Sequence, residues 1–260
     1  MAKGGVIRPS RVLGRYATCG INAMEDRARM ASVRRPGWLT YAGLVFRKDL
    51  AIELESGEIT TTSGYFALLV VIISSMAFYG GPDTRRLVAS GAIWLAIAFS
   101  AVLALGQTWQ REREHGALRG LLVSPLPRSA LFVGKMAGLL MFLLVVELVV
   151  LPTAAVLFAL DLLRDGLTLA VISALALPGI GATSTLFGVM TARTRARGVL
   201  LAIVLFPLLA PTLLAAVSAT RIALDGATLS ELGGHLQLLI AFDGLFILGG
   251  LGLFGLLVED

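Results

Sequence analysis

Two carboxylates, Glu147 and Asp243, fall inside long apolar runs. A carboxylate within a bilayer is costly and faces either the bundle interior or water. Each therefore has two readings. It lines a gate or translocation path, or it is a neutral acid or an acid hydrogen-bonded to a neighbouring helix. The other groups capable of chemistry do not assemble. His115 and His235 lie in loops expected on opposite sides of a membrane and cannot share a metal. There is no H-E-x-x-H and no G-x-S-x-G. The nearest approach to a phosphate-binding loop is Gly134-Lys135, but Ser129 stands where its first glycine is required. The chain is expected to be neither an enzyme nor the holder of a metal or cofactor.

The most informative polar segment is 108–129. Trp109 to His115 is charged, Gly116 to Val123 is largely apolar, and Ser124-Pro125-Leu126-Pro127 ends it. Pro125 and Pro127 forbid helix continuation and push the residues before them toward extended geometry. Leu118, Leu121 and Leu122 share one helical face. A short helix braced by a proline corner suits docking into a groove of another protein; the plainer reading is a solvated loop.

These features sit in a chain built for lipid. Of 260 residues, 57% are hydrophobic and 15% charged, against about 45–50% and 25% in soluble domains. The mean hydropathy is +0.85. This excludes a soluble enzyme, a disordered chain and a disulfide scaffold; the single cysteine, Cys19, forms no internal bridge and reads as an ordinary thiol, with palmitoylation or regulation as the alternative. Six apolar runs follow at about 62–81, 87–107, 131–160, 167–190, 198–219 and 236–258. Each is near the roughly 20 residues a spanning helix needs. The expected fold is an all-α membrane protein whose six-helix transmembrane domain occupies 62–258. Residues 38–61 are expected to form an amphipathic interfacial helix before it. Four prolines, Pro152, Pro178, Pro207 and Pro211, fall within the runs and are candidate kinks. Gly134 and Gly138 make a small-xxx-small pair that favours close helix approach. Residues 1–37 are basic and lack the apolar stretch of a secretory signal. They read as a disordered extension, as a transit-peptide mimic, or as the product of a start assigned upstream of Met24 or Met30.

Basic residues set the orientation. The amino-terminal region, the 108–135 segment and the 191–198 loop together hold 18 Lys and Arg, and the remaining loops hold four. The positive-inside rule then places both termini in the cytoplasm. It also accounts for the net charge of +5. No basic cluster is interleaved with stacking aromatics, so nucleic-acid binding is not indicated.

The run Gly116-Ala117-Leu118-Arg119-Gly120-Leu121-Leu122-Val123-Ser124-Pro125-Leu126-Pro127, followed by an apolar stretch containing Gly134-Lys135, resembles the ABC-2 type permeases. More narrowly, the chain resembles the CcmB family, the membrane subunit of the ABC transporter of cytochrome c maturation. The features that agree in order are Phe46-Arg47-Lys48-Asp49-Leu50, Gly81-Pro82-Asp83, Ile93-Trp94, Lys135, Pro152, Ala159-Leu160-Asp161, Pro178-Gly179-Ile180-Gly181, Arg197-Gly198, Pro207 and Pro211. The resemblance covers about residues 40–258.

It implies a heterocomplex in a bacterial inner membrane. A homodimer of the permease would pair with a separate CcmA-type ATPase, which holds ATP-Mg, and with CcmC, CcmD and CcmE-type partners that handle haem. Glu112, Glu114, Gly116, Leu118, Leu121, Leu122, Pro125 and Pro127 would then contact the ATPase. Arg119 departs from the acidic or neutral polar residue common in relatives and leaves that position without an evident charge partner. Two outputs are described for such complexes, haem export and release of the haem-loaded chaperone. The spans contain no histidine, which favours release. The rival readings are an ABC-2 exporter of a drug, lipid or polysaccharide, and a membrane assembly scaffold without energy coupling.

Overall fold

The computed structural model describes residues 37–78, 80–114, 126–191 and 197–259. Seven helices are present among them, with no strand: α1 Trp38–Ser56, α2 Glu58–Ala77, α3 Pro82–Glu114, α4 Arg128–Phe158, α5 Leu162–Thr191, α6 Arg197–Leu224 and α7 Gly233–Glu259. The last six are each long and apolar enough to cross a membrane. At 1.5 Å per residue α4 is about 46 Å long, well beyond a hydrocarbon core of about 30 Å. The expected all-α, six-span architecture is present.

Local chemistry sets the helix ends, and it moves several of the expected boundaries. The first polar turn of α2, expected to close the interfacial helix, instead opens the first span. Gly57, with φ of 61°, breaks α1 from α2. The Glu53 carboxylate then accepts the Thr60 N–H and the Thr60 hydroxyl, both at 2.7 Å. It supplies the acceptor that an exposed helix N-terminus needs. The expected interfacial helix therefore ends at Ser56 rather than at 61, and the first span starts at Glu58 rather than at 62. The α3 helix likewise runs to Glu114, past the expected end of its apolar run. At α4 the Pro127 carbonyl accepts the N–H groups of Ala130 and Leu131. Ala159, at φ 53°, closes α4, and the Asp161 side chain caps α5 by accepting from the N–H groups of Leu163 and Arg164. The Ala159-Leu160-Asp161 motif is thus a helix stop followed by a helix start.

The helices alternate in direction. At one end, Ser75 at the close of α2 donates to the Leu157 carbonyl of α4, and Arg86 of α3 lies 3.6 Å from Asp225 beyond α6. The opposite end carries α1, the close of α3, the start of α4, the close of α5 and the start of α6; it is called here the basic end. α4 packs against α1, α2, α3, α5 and α7. Small residues let the helices approach. A Cβ on Gly250 of α7 would overlap the Phe132 ring of α4, and one on Gly188 of α5 would lie 2.5 Å from Trp109 of α3. Trp94 of α3 donates to Thr220 of α6 at 2.8 Å in the buried interior. Much of the outer surface is bare apolar side chain, including Leu69, Leu148, Val156 and Leu248, as lipid-facing helices require.

Candidate functional site at the basic end

The polar side chains at the basic end are arranged around α1. On α4, Lys135 is almost wholly buried, with 3% of its side chain exposed, and its Nζ lies 2.8 Å from Asp49 Oδ2 of α1. Asp49 is also paired with Lys48 at 3.1 Å. The Lys135 ammonium stands 5.7 Å from the centre of the Trp109 ring of α3, within cation–π range. On α3, Arg111 bridges two helices: Nη1 reaches Glu53 of α1 at 3.2 Å and Nη2 reaches Glu58 of α2 at 2.9 Å. At the start of α4, Ser129 accepts a hydrogen bond from the Trp38 indole of α1 at 2.9 Å.

The consequence is topological. Arg111 lies at the end of α3 and Ser129 and Lys135 at the beginning of α4. They are the two limbs between which the 115–125 segment is strung, and all three bind α1. The small-xxx-small pair completes the seat. A Cβ on Gly134 would lie 2.6 Å from Val45 Cβ and 2.7 Å from the Ala42 carbonyl, whereas one on Gly138 would make ordinary contact with Asp49 at 3.6 Å. The pair serves α1 rather than a spanning helix. The amphipathic character of 38–56 predicts a helix lying on the interface. In the structure that helix packs chiefly on α4, with Ala42 and Val45 buried and Leu39 and Leu54 exposed.

The other expected residues are placed as follows. Glu112 and Glu114 lie in the last turn of α3, and Pro127 immediately precedes α4. Gly116, Leu118, Leu121, Leu122 and Pro125 lie outside the described residues. Glu147 is buried and accepts a hydrogen bond from Ser173 of α5. Asp243 is also buried, in α7, with Oδ1 pressed against Gly179 of α5; a Cβ at Gly179 would overlap that oxygen. The structure does not bring Glu147 and Asp243 together with the basic end. Pro152, Pro178, Pro207 and Pro211 all lie inside helices that continue through them. In the turn that Pro152 interrupts, the Thr153 hydroxyl donates to the Val149 carbonyl at 2.8 Å. Among the described residues, no group of histidine, cysteine, aspartate and glutamate side chains is placed to hold a metal ion.

Sequence reasoning missed two things here. It read Lys135 as an orienting charge, as part of a failed phosphate-loop match and as a family motif, and did not pair it with Asp49. A lone basic residue seven positions into an apolar helix was the available signal, because such a charge demands a partner. It also gave no sign of a cavity of about 370 Å³ beside Lys135, lined by α1, α2, α3, α4 and Thr185 of α5.

The family model described as CcmB protein matches residues 40–249. Three relatives named heme exporter protein B are similar to the chain. That of Haemophilus influenzae is 28% identical over 200 residues, covering 75% of this chain and 86% of the relative. That of Bradyrhizobium diazoefficiens is 24% identical over 190 residues, covering 72% and 84%. The match to that of Escherichia coli K12 is 26% identical over 91 residues and spans 35% of this chain and 41% of the relative's length.

Proposed function

Because the chain belongs to the CcmB family, we propose that it is the membrane subunit of an ABC transporter complex for c-type cytochrome biogenesis. ATP hydrolysis occurs on a separate CcmA-type ATPase, which holds ATP-Mg. This permease, working as a homodimer, converts that cycle into haem export or into release of the haem-loaded CcmE-type chaperone, with CcmC and CcmD alongside. The complex lies in the bacterial inner membrane with both termini in the cytoplasm. Haem is cargo of the complex.

The observation that carries the mechanical part of this reading is the attachment of both limbs of the 115–125 segment to α1. A segment that transmits force must be anchored at both ends, or its displacement is lost in local bending. Closure of the ATPase pushes the corner through Glu112, Glu114, Gly116 and the leucines 118, 121 and 122. Pro125 and Pro127 stiffen the corner, and the salt-bridged seat on α1 moves α3 and α4 together. Such coupling requires two states of the bundle that differ in affinity for the partners.

Purification in mild detergent followed by mass spectrometry tests this reading. A CcmA-type ATPase and the haem-handling partners are expected with the chain, and loss of the gene is expected to abolish c-type cytochromes. A working chain without an ATPase companion, or intact c-type cytochromes in the deletion strain, would overturn it. Replacement of Glu112 or Gly116 is expected to leave the complex assembled while separating ATP hydrolysis from cytochrome maturation.

A further inference from the structure

Asp243 of α7, Gly179 of α5 and Thr212 of α6 meet inside the bundle, where the three helices pack on one another. Asp243 is ten residues into α7, so it lies about 15 Å along the helix, near the mid-depth of a hydrocarbon core of about 30 Å. A Cβ on Gly179 would overlap Asp243 Oδ1 and lie 3.5 Å from Thr212 Cγ2. The acid and the threonine therefore flank the same point. Asp243 is 9% exposed and Thr212 0%. Neither Asp243 Oδ1 nor Thr212 Oγ1 has a hydrogen-bond partner among the described residues.

Both groups stand apart from their counterparts elsewhere in the bundle. The hydroxyls of Ser74, Thr108, Thr153 and Thr183 each donate to the carbonyl four residues back, the ordinary way a hydroxyl is satisfied within a helix. Thr212 does not. The residue before it, Pro211, has no N–H and so leaves the Pro207 carbonyl of the same turn without its helical donor. Among the carboxylates, Glu147 accepts from Ser173, and Asp49 is paired with Lys48 and Lys135. No Lys or Arg acts on Asp243. Along α5, α6 and α7 the nearest is Arg221, nine residues beyond Thr212, which places it about 14 Å along the helix. On α4, Lys135 is turned away to Asp49 of α1.

An occupant of this point has to satisfy a carboxylate oxygen and a hydroxyl together and to offset one negative charge. Water does the first and not the second. Oxygen donors suit a hard cation. A divalent ion collects several carboxylates, whereas one carboxylate balances a monovalent ion. Carbonyls of interrupted spanning helices are the usual remaining ligands of such an ion, and Pro211 frees one in the same turn as Thr212. We propose that Asp243 and Thr212 bind one alkali metal cation where α5, α6 and α7 meet. The site rests on the bundle alone and not on the proposed function.

Binding of radioactive Na+ to the purified full-length chain tests it, with Na+ as the probe. Saturable binding of about one ion per chain is expected, one carboxylate balancing one monovalent charge. Thermal stability should rise with Na+ when N-methylglucamine is exchanged for it at constant ionic strength and pH, because a ligand of the folded state stabilises by mass action. Asp243→Asn should abolish both effects. Thr212→Val, which keeps the shape and removes the hydroxyl, should weaken Na+ binding about tenfold and carries the test should Asp243→Asn fail to fold. Ser184→Ala, which removes a buried hydroxyl elsewhere on α5, should change neither. No saturable Na+ binding, or binding unchanged in folded Asp243→Asn or Thr212→Val, overturns the proposal. Thermal stability that follows pH and not Na+ would assign the point to a proton and also overturn it.

Discussion

Asp49 Oδ2 and Lys135 Nζ are 2.8 Å apart, one on the helix that precedes the spans and the other buried inside a spanning helix. The two ends of this pair are not equivalent. Asp49 has a second cation, Lys48, at 3.1 Å and keeps 16% of its side chain exposed, whereas Lys135 keeps 3%. Stranding a buried charge costs about 3–5 kcal/mol, while replacing both partners by apolar groups is often neutral. Asp49→Asn should therefore lower the thermal stability of the detergent-solubilised protein more than Lys135→Met does. The double replacement Asp49→Leu with Lys135→Met should recover most of the loss. Equal losses in the two single variants would show that the two ends of the pair are equivalent and that Lys48 does not compensate Asp49.

Gly134 and Gly138 make opposite predictions for the same substitution. Alanine at 134 brings its Cβ against the Ala42 carbonyl, a backbone atom that cannot turn away, so α1 must lift from α4. Alanine at 138 makes an ordinary contact. In a Cys19→Ser background carrying Ala42→Cys, a water-soluble thiol reagent should label the buried residue 42 faster after Gly134→Ala. Gly138→Ala should leave the rate unchanged. Similar rates in both would mean that α1 is not seated through Gly134.

The contrast between these two glycines shows how far the sequence could be read. Six apolar runs of spanning length reveal the fold because a bilayer admits little else, and the basic residues sort the loops by side. Helix ends were less legible. Glu58 to Thr61 reads as the end of the interfacial helix, and only the turn at Gly57 and the Glu53 carboxylate reaching Thr60 make it the start of the first span. The site was legible as a segment, 108–129, through its prolines and its charge. Its anchorage was not, because Arg111 and Glu53 are 58 residues apart and Lys135 and Asp49 are 86 apart. Composition and periodicity carry no information about such pairs. The hydrogen bond that Ser173 donates to Glu147 from the neighbouring helix is likewise a pairing that composition does not reveal.

Gly179 and Asp243 meet where α5 crosses α7. Any side chain at 179 occupies the space of the Asp243 carboxylate, so Gly179→Ala should destabilise the protein. Shortening the opposing residue should restore the space, and Gly179→Ala with Asp243→Ala should be more stable than Gly179→Ala alone. Thermal unfolding of the three variants checks this. Additive losses, expected only of sites that do not share a contact, would contradict the packing. Cytochrome yield of Asp243→Ala, measured in a protein shown to be folded, separates a packing role from a gating role for the acid.

Arg111 pairs with two unequal carboxylates, and this gives the sharpest test of the anchored corner. The Glu58 side chain is 71% exposed, so its pair with Arg111 is worth little. The Glu53 side chain is 17% exposed and also caps α2 through Thr60. Glu53→Gln retains an oxygen for the Thr60 N–H but removes the charge that holds Arg111. If α1 transmits the push of the ATPase, Glu53→Gln and Arg111→Met should reduce c-type cytochrome yield at unchanged levels of assembled complex and ATP hydrolysis. Glu58→Gln should do neither. Quantitative haem staining of c-type cytochromes, set beside the ATPase rate of the purified complex, reads both quantities. Full yield in Arg111→Met, in a complex that still hydrolyses ATP, would mean that force reaches the bundle without α1.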